Sequence, residues 1–289
     1  MTDEPRRPAL RYHGGKWRLA PWILQHAPRH RVYVEPFGGG ASVLLRKRRC
    51  HAEVYNDLDG DPVNLFRVLQ APELRAKLIQ AVELTPFARE EFVLAYEPTL
   101  DPIERARRLI IRSFQGFGSN GHNISVRTGF RNHSHRSGTT PAVDWTSMPP
   151  ALAAVAKRFI GVVIENRPAI EVMRQHDSRS TLHYVDPPYV HATRSSRLDS
   201  RRDYHGYAHE MTDEGHAVLL QAVLELDGMV LLSGYSHPLY EHFLAGWRQV
   251  QRDVQVVSNQ TRTECLWINP AAAEALAAER GELFFEISA

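Results

Sequence analysis

The sequence predicts an α/β fold, a mostly parallel sheet with helices on both faces, and three observations carry that prediction. Short apolar runs alternate with helical stretches at both ends of the chain. A long middle block has helix and loop signals but no strand pattern. The residues with the most chemical character stand just past predicted strand ends, the rim where open α/β sheets bind ligands.

Val32-Tyr33-Val34-Glu35 reads as the first strand, followed by the turn Pro36-Phe37-Gly38-Gly39-Gly40-Ala41-Ser42 and a helix starting near Val43. Glycines let the backbone approach a ligand closely, and a helix N-terminus offers N–H groups and a positive dipole end to a carboxylate or phosphate. Val43 stands where the dinucleotide pattern Gly-x-Gly-x-x-Gly needs its last glycine, so a nicotinamide or flavin cofactor is disfavoured. The second strand, Ala52 to Tyr55, leads into Asn56-Asp57, and Asp57 lies close to the spacing of about 20 residues at which nucleotide-binding folds place a ribose-clamping acid. Asp61-Pro62 is expected to cap a helix running through Leu69.

From about 62 to 118 the pattern is helical, broken at Ala71-Pro72 and Thr85-Pro86, and another helix is expected around Pro150 to Phe159. Apolar runs resume at Gly161–Ile164, Leu182–Val185 and Met229–Ser233, with helices near Ala169–Gln175 and Thr212–Leu226 between them. Alternation in Val250–Val256 and Glu264–Ile268 predicts an antiparallel pair closing one edge, and the Ala/Glu-rich tail Ala271–Arg280 a surface helix. The chain thus divides into a catalytic region, 1–70 with 160–289, and an inserted region, 71–159, of helix and loop.

Thr181 to Tyr189 is the most informative segment: a buried run ending in Asp186-Pro187-Pro188-Tyr189. The prolines lack N–H donors and fix φ, which leaves rigid carbonyl acceptors beside the Asp186 carboxylate. A planar base bearing an amino group suits such a loop. Asp186 accepts one amino hydrogen and the Pro187 carbonyl the other, biasing the nitrogen lone pair toward an electrophile, while Tyr189 stacks on the ring.

Composition bounds the rest. The 289 residues, 43% hydrophobic and 24% charged, suffice for a full α/β core with one smaller module. Cys50 and Cys265 are too few for a disulfide framework or a cysteine zinc site, so no metal is expected. No apolar stretch reaches the ~20 residues of a membrane span, and Met1 to Arg7 carries no signal core, which leads us to expect a cytoplasmic protein. The formal net charge of +2 says little, but its distribution is informative. Arg105, Arg107, Arg108, Arg112, Arg127, Arg131 and Arg136, with His122, His133 and His135, occupy a window free of Asp and Glu, and Gly116 to Pro141 is rich in Gly, Ser, Asn and Thr. We read this as a phosphate-contacting surface that stays mobile until nucleic acid arrives. The expected nucleic-acid contacts are Arg112, Asn120, His122, Arg127, Arg131 and Arg136. A second basic patch, Arg194, Arg197, Arg201 and Arg202, follows Tyr189, and Arg46-Lys47-Arg48-Arg49 reads as a charged helix end.

Taken in order, Tyr12-His13-Gly14-Gly15-Lys16, Glu35 to Ser42, Asn56-Asp57, Asp186 to Tyr189 and Arg262 to Trp267 resemble the motifs of the Dam-like, phage-type class of adenine-specific DNA methyltransferases over about residues 10 to 270. The departures are Tyr12, where that family usually has Trp, and a glycine turn richer than typical. The resemblance implies a Rossmann-like S-adenosylmethionine-dependent methyltransferase fold with a target-recognition insertion. It implies a cofactor pocket lined by Tyr12, Gly15, Lys16, Glu35, Phe37, Gly38, Gly40, Asp57 and Asp186, and a target-adenine site at Asp186, Pro187, Pro188 and Tyr189. Double-stranded DNA is the expected partner of a prokaryotic or phage-encoded monomer, in a restriction-modification setting. Two other readings fit the same residues: methyl transfer to another planar amine, such as an RNA adenine or a glutamine side chain, and a non-catalytic DNA-binding protein keeping the fold. Relatives acting on glutamine typically carry Asn at the first loop position, so Asp186 favours adenine.

Overall fold

A computed structural model describes residues 4–125, 127–133, 138–190, 210–255 and 261–281. Its strands are β1 (Val32–Glu35), β2 (Ala52–Asn56), β3 (Val162–Glu165), β4 (Thr181–Val185), β5 (Met229–Gly234), β6 (Arg248–Gln255) and β7 (Thr261–Ile268). They form a seven-stranded sheet in the order β3-β2-β1-β4-β5-β7-β6. The first five are mutually parallel, and β7 runs antiparallel to both β5 and β6, so the expected edge pair is present. Because β4 and β5 are buried along their whole lengths, their runs Leu182–Val185 and Met229–Leu232 read as continuous apolar stretches without alternation.

The helices flanking the first strands are α1 (Ala20–Leu24), α2 (Ser42–Arg46) and α3 (Gly60–Gln70). The middle block supplies α4 (Pro72–Glu83), α5 (Arg89–Leu94), α6 (Pro102–Gln115), α7 (Pro141–Trp145) and α8 (Met148–Phe159). Then come α9 (Ala169–Gln175), α10 (Asp213–Leu224), α11 (Pro238–Phe243) and α12 (Pro270–Arg280). The helical run expected from 62 to 118 has one break more than foreseen, since α5 ends before Pro98 and α6 restarts at Pro102. The first turn of α3 is capped by Asp59, whose side chain accepts from the Asp61 N–H, and not by Asp61 itself, because Gly60 already belongs to the helix. The short helices α1, α7 and α11 escaped the sequence reading; each is five or six residues, too short for a periodic apolar stripe.

One hydrophobic core runs from the sheet into the middle block. Phe159 of α8 stacks on Phe66 of α3 at 4.1 Å, and the Tyr55 ring meets both edge-on. A buried ion cluster fastens the same helix to the sheet. Arg158 makes a two-pronged bond to the Glu53 carboxylate at 2.6 and 2.8 Å, and Lys47 reaches it at 2.9 Å. Burial alone would raise the Glu53 pKa, but the bonds and charges of Arg158 and Lys47 hold it below the usual value. Arg49 ties off the C-terminal carbonyls of α8, those of Lys157, Arg158 and Ile160. Two members of the basic run after α2 therefore point into structural contacts.

Removing one member of that cluster strands a buried charge. Arg158→Ala is expected to cost about 3–5 kcal/mol in urea unfolding, whereas replacing all three charges together, Arg158→Met with Glu53→Leu and Lys47→Met, recovers most of the loss. Equal stability of the single variant and the parent would show that the cluster does not fasten α8.

Candidate active site

The strand order places the C-terminal ends of β2, β1 and β4 side by side, at the point where the chain, having laid β2 and β3 on one side of β1, returns to build the other. Asn56, fully buried at the end of β2, welds this rim. Its amide donates to the carbonyls of Pro36 and Arg167 at 2.8 and 3.0 Å and its oxygen accepts from the Arg167 N–H at 2.9 Å. One side chain thereby joins the loops after β1, β2 and β3, a role not foreseen in the sequence.

Here the structure brings the expected cofactor residues together. One cavity is lined by Tyr12, Gly15 and Lys16 from the N-terminal segment, by Glu35, Phe37, Gly38 and Gly40 from β1 and its turn, by Asp57 after β2, and by Asp186 after β4. His13, Leu58, Asp59, Ala169, Glu210 and Met211 complete much of the remaining wall.

The glycine turn is dictated by its neighbours. A Cβ on Gly38 would lie 2.2 Å from the Tyr55 ring, and Gly39 has φ +46° with Tyr12 only 2.7 Å from where a Cβ would stand. Packing against Tyr12 thus accounts for the extra glycine. Glu35 holds the turn from below: its carboxylate accepts from the Leu44 N–H at 2.9 Å and from the Tyr33 hydroxyl at 2.7 Å. Burial lifts its pKa to about 8, against the opposing pull of those two bonds. The Leu44 N–H in the first turn of α2, expected to face a ligand anion, is therefore already spent on Glu35.

Asp57 accepts from the Gly39 N–H at 2.6 Å with one oxygen and from the Asp59 N–H at 2.8 Å with the other. Each carboxylate oxygen has two acceptor positions, so capacity for a diol remains. Burial raises its pKa to about 7, with those backbone bonds opposing.

Across the cavity, Lys16 is only 4% exposed and buries its ammonium between two carboxylates. It bonds Asp186 Oδ1 at 2.9 Å and the Gly14 carbonyl at 2.8 Å, and lies 3.5 Å from Glu264 Oε1. Burial raises the Asp186 pKa, and Lys16 is the strongest opposing influence. Pro188 lines the cavity, while Pro187 and Tyr189 are packed behind it. Tyr189 was expected to present an open stacking face. Instead its ring is buried between the Lys16 ammonium at 4.7 Å and Tyr235 at 4.5 Å, and its hydroxyl bonds the Glu264 carboxylate. Glu264, on β7, went unassigned as a site residue; the available signal was a lone acid directly preceding the apolar run Cys265–Ile268.

On the target side the sequence reading needs correction. Arg112 is 3% exposed and cannot touch phosphate, because its guanidinium is spent inward on the Ala95 carbonyl at 2.6 Å, Asp61 at 3.0 Å and the Gly121 carbonyl at 3.2 Å. Its α6 neighbours are also neutralised: Arg105 by Asp61, Arg107 by Glu91 and Glu104, Arg108 by Glu104. These acids lie outside the acid-free window but close in space. Nor is the glycine-rich segment without structure. Gly116 bridges Phe130, the Phe117 N–H donates to the Gly129 carbonyl at 2.7 Å, and Phe130 packs on Phe87 and Phe92. Asn120 is buried at the start of a 3-10 turn, Asn120–His122, and is not part of the exposed surface. Arg127 is exposed above Tyr96, and Arg131 is half-buried beside the Phe114 carbonyl. The His122 side chain, Arg136, His135 and the patch Arg194, Arg197, Arg201 and Arg202 lie outside the described residues.

Among the described residues no helix is long and apolar enough to cross a membrane, and no three His, Cys, Asp or Glu side chains are grouped to hold a metal ion. No curated protein matches the chain. A family model described as the D12 class N6 adenine-specific DNA methyltransferase matches residues 12–242, which spans every element of the rim up to α11. With that match added to the meeting of Asp57, the glycine turn and Asp186, the chain belongs to the D12 class of N6 adenine-specific DNA methyltransferases, enzymes that methylate the amino nitrogen of adenine in DNA.

Proposed function

We propose that the rim cavity holds S-adenosylmethionine and that Asp186 receives the amino group of an adenine flipped out of duplex DNA. The observation that carries this reading is the convergence of the Asp57 and Asp186 carboxylates on one cavity floored by the glycine turn. S-adenosylmethionine, when bound, supplies a methyl group activated by a sulfonium charge. The cavity suits a cationic nucleoside: Asp57 keeps acceptor capacity for a ribose diol, and Glu35, Asp57, Asp59, Asp186 and Glu210 make its wall strongly acidic. Tyr12, against the Gly39 backbone, offers a ring to the cofactor's base, and Lys16, Gly15, Phe37, Gly38 and Gly40 shape the rest.

Lys16 bonds Asp186 Oδ1, and the Tyr184 and Tyr189 hydroxyls donate to the same carboxylate; with two acceptor positions on each oxygen, Oδ2 takes one hydrogen of the target amine and the Pro187 carbonyl the other. These two bonds keep the nitrogen lone pair out of ring conjugation and aimed at the methyl donor. The methylated nitrogen, momentarily cationic, then loses a proton without help from a strong base. Flipping costs a few kcal/mol of pairing and stacking. Phosphate contacts by Arg127 and Arg131, with His122 and Arg136, offset that cost from the region 71–159, which we assign to target recognition. We take the enzyme to act as a cytoplasmic monomer of phage-type or restriction-modification kind.

Three outcomes test this assignment. Asp186→Asn is expected to lower methyl transfer to duplex DNA by about 10²–10³-fold or more even at saturating cofactor; full activity would remove Asp186 from the chemistry. Arg127→Ala with Arg131→Ala is expected to shrink the dependence of log K on log salt by roughly 0.9 for each phosphate left without its arginine, and an unchanged slope would take the loop off the interface. The raised pKa values give a pH test. A carboxyl raised in the folded state stabilises the protein most below the unfolded value, and that stabilisation is lost as pH rises through about 7 for Asp57 and about 8 for Glu35. A cationic ligand favours the ionised forms, so S-adenosylmethionine is expected to bind more tightly, and to raise the melting temperature more, at pH 8 than at pH 6. Asp57→Asn flattens that trend and weakens binding by about tenfold or more. Tighter binding at pH 6 would contradict the assignment.

A further inference from the structure

Glu264 is buried on β7 at 5% exposure, and its surroundings tie it to the reacting loop from two sides. Its carboxylate accepts from the Tyr189 hydroxyl and lies 3.5 Å from the Lys16 ammonium, which bonds Asp186 at 2.9 Å. The reacting loop follows β4, and β7 stands two strands away in the sheet with β5 between them, so Glu264 reaches the loop across β5. The fold alone does not require this. A buried acid costs free energy unless paired, and an apolar residue would continue the run Cys265–Ile268 more cheaply.

We propose that Glu264 is a positioning residue for methyl transfer: it shares Lys16 with Asp186, so that Asp186 keeps enough negative charge to accept the target amino hydrogen, and it anchors Tyr189 through its hydroxyl. This rests on the reading of Asp186 as the acceptor of the amine. With Lys16 held by Asp186 alone, the pair would be a neutral, tightly bonded couple and Oδ2 a weaker acceptor. With both carboxyls ionised, a second carboxylate on the same ammonium gives the cluster of Lys16, Asp186 and Glu264 one net negative charge, and Asp186 is its carboxylate that lines the cavity. The cation also sits over the Tyr189 ring at 4.7 Å, so displacing Glu264 would loosen both partners of the loop.

Other groups face this cluster and must be held constant. The Asp186 charge acts on Glu35 of β1, Tyr184 of β4 and Tyr240 of α11, the Tyr184 and Tyr189 hydroxyls also bond Asp186, and Cys265 lies beside Glu264. Tyr235 packs on Tyr189 and Arg262 stands over Tyr235. A substitution at 264 leaves all of these side chains in place; Tyr184 and Cys265 also feel the Glu264 charge, but burial holds both above their ordinary values, outside the acid range of the titration.

The test is an NMR titration of the Asp186 carboxyl, ¹³C-labelled and assigned by Asp186→Asn, alongside the pH dependence of methyl transfer to duplex DNA. Glu264→Gln keeps an acceptor for Tyr189 but removes the charge. It is expected to lower the Asp186 midpoint by about one pH unit, to shift the acid limb of the rate profile down with it, and to reduce the plateau rate. Glu264→Ala gives the same displacement and also raises KM for DNA, because the Tyr189 hydroxyl loses one of its two carboxylate partners. An Asp186 midpoint unmoved in both variants, with melting temperatures near the parent's, overturns the proposal. A midpoint that moves while the acid limb stays put instead overturns the reading of Asp186 as the amine's acceptor, since the charge coupling would then exist without governing the rate.

Discussion

Four carboxylates, those of Glu35, Asp57, Asp186 and Glu264, are gathered at one rim of the sheet, Glu35 and Glu264 buried and Asp57 and Asp186 half-buried, with the Lys16 ammonium among them. That arrangement is the constraint on which the site depends. Buried acids are tolerated only where something compensates each, and the compensation differs from one to the next. Glu35 takes the Leu44 N–H and the Tyr33 hydroxyl, Asp57 takes two backbone N–H groups, and Asp186 and Glu264 divide a lysine. The deficit of positive charge is what makes the cavity receptive to a cation. The parallel register of β2, β1 and β4 makes the arrangement possible by ending three strands at one level.

A second layer of contacts joins this rim to the target side. Asp57 accepts from the Asp59 N–H, Asp59 from the Asp61 N–H, and the Asp61 carboxylate is bonded by Arg105 and Arg112. Arg112 continues to the carbonyls of Ala95 and Gly121, the latter in the 3-10 turn of the loop that carries Arg127. The cofactor wall and the target loop are thereby parts of one hydrogen-bonded structure. Arg112 is a strut within it, which explains why an arginine in an apparently basic stretch is turned inward.

Much of the fold was legible because its strands are short and apolar and its breaks fall at prolines: β1, β2, β4, β5, α9 and the antiparallel pair lie close to where periodicity and turn signals put them. Gly38, Asp57 and Asp186 were legible because they sit past strand ends, where a parallel sheet must bring them together, whereas Tyr12, Gly15 and Lys16, which follow no strand, were named only by the motif resemblance. What escaped has one physical origin, long-range pairing. Arg105, Arg107 and Arg112 looked like a basic surface because Asp61 and Glu91 are far away in the sequence, although the fold sets them alongside. Glu264 looked like one polar residue ahead of an apolar strand, and only the sheet order reveals that it faces Lys16. Asn56 was seen as part of a turn, though its burial makes it the joint of three loops.

A structure of the protein with S-adenosylhomocysteine tests the central claim most directly. The account requires the ribose hydroxyls within hydrogen-bond distance of Asp57, the base against Tyr12, and the thioether sulfur on the Asp186 side of the glycine turn. A cofactor product bound elsewhere, or bound in this cavity with its sulfur turned away from Asp186, would contradict it.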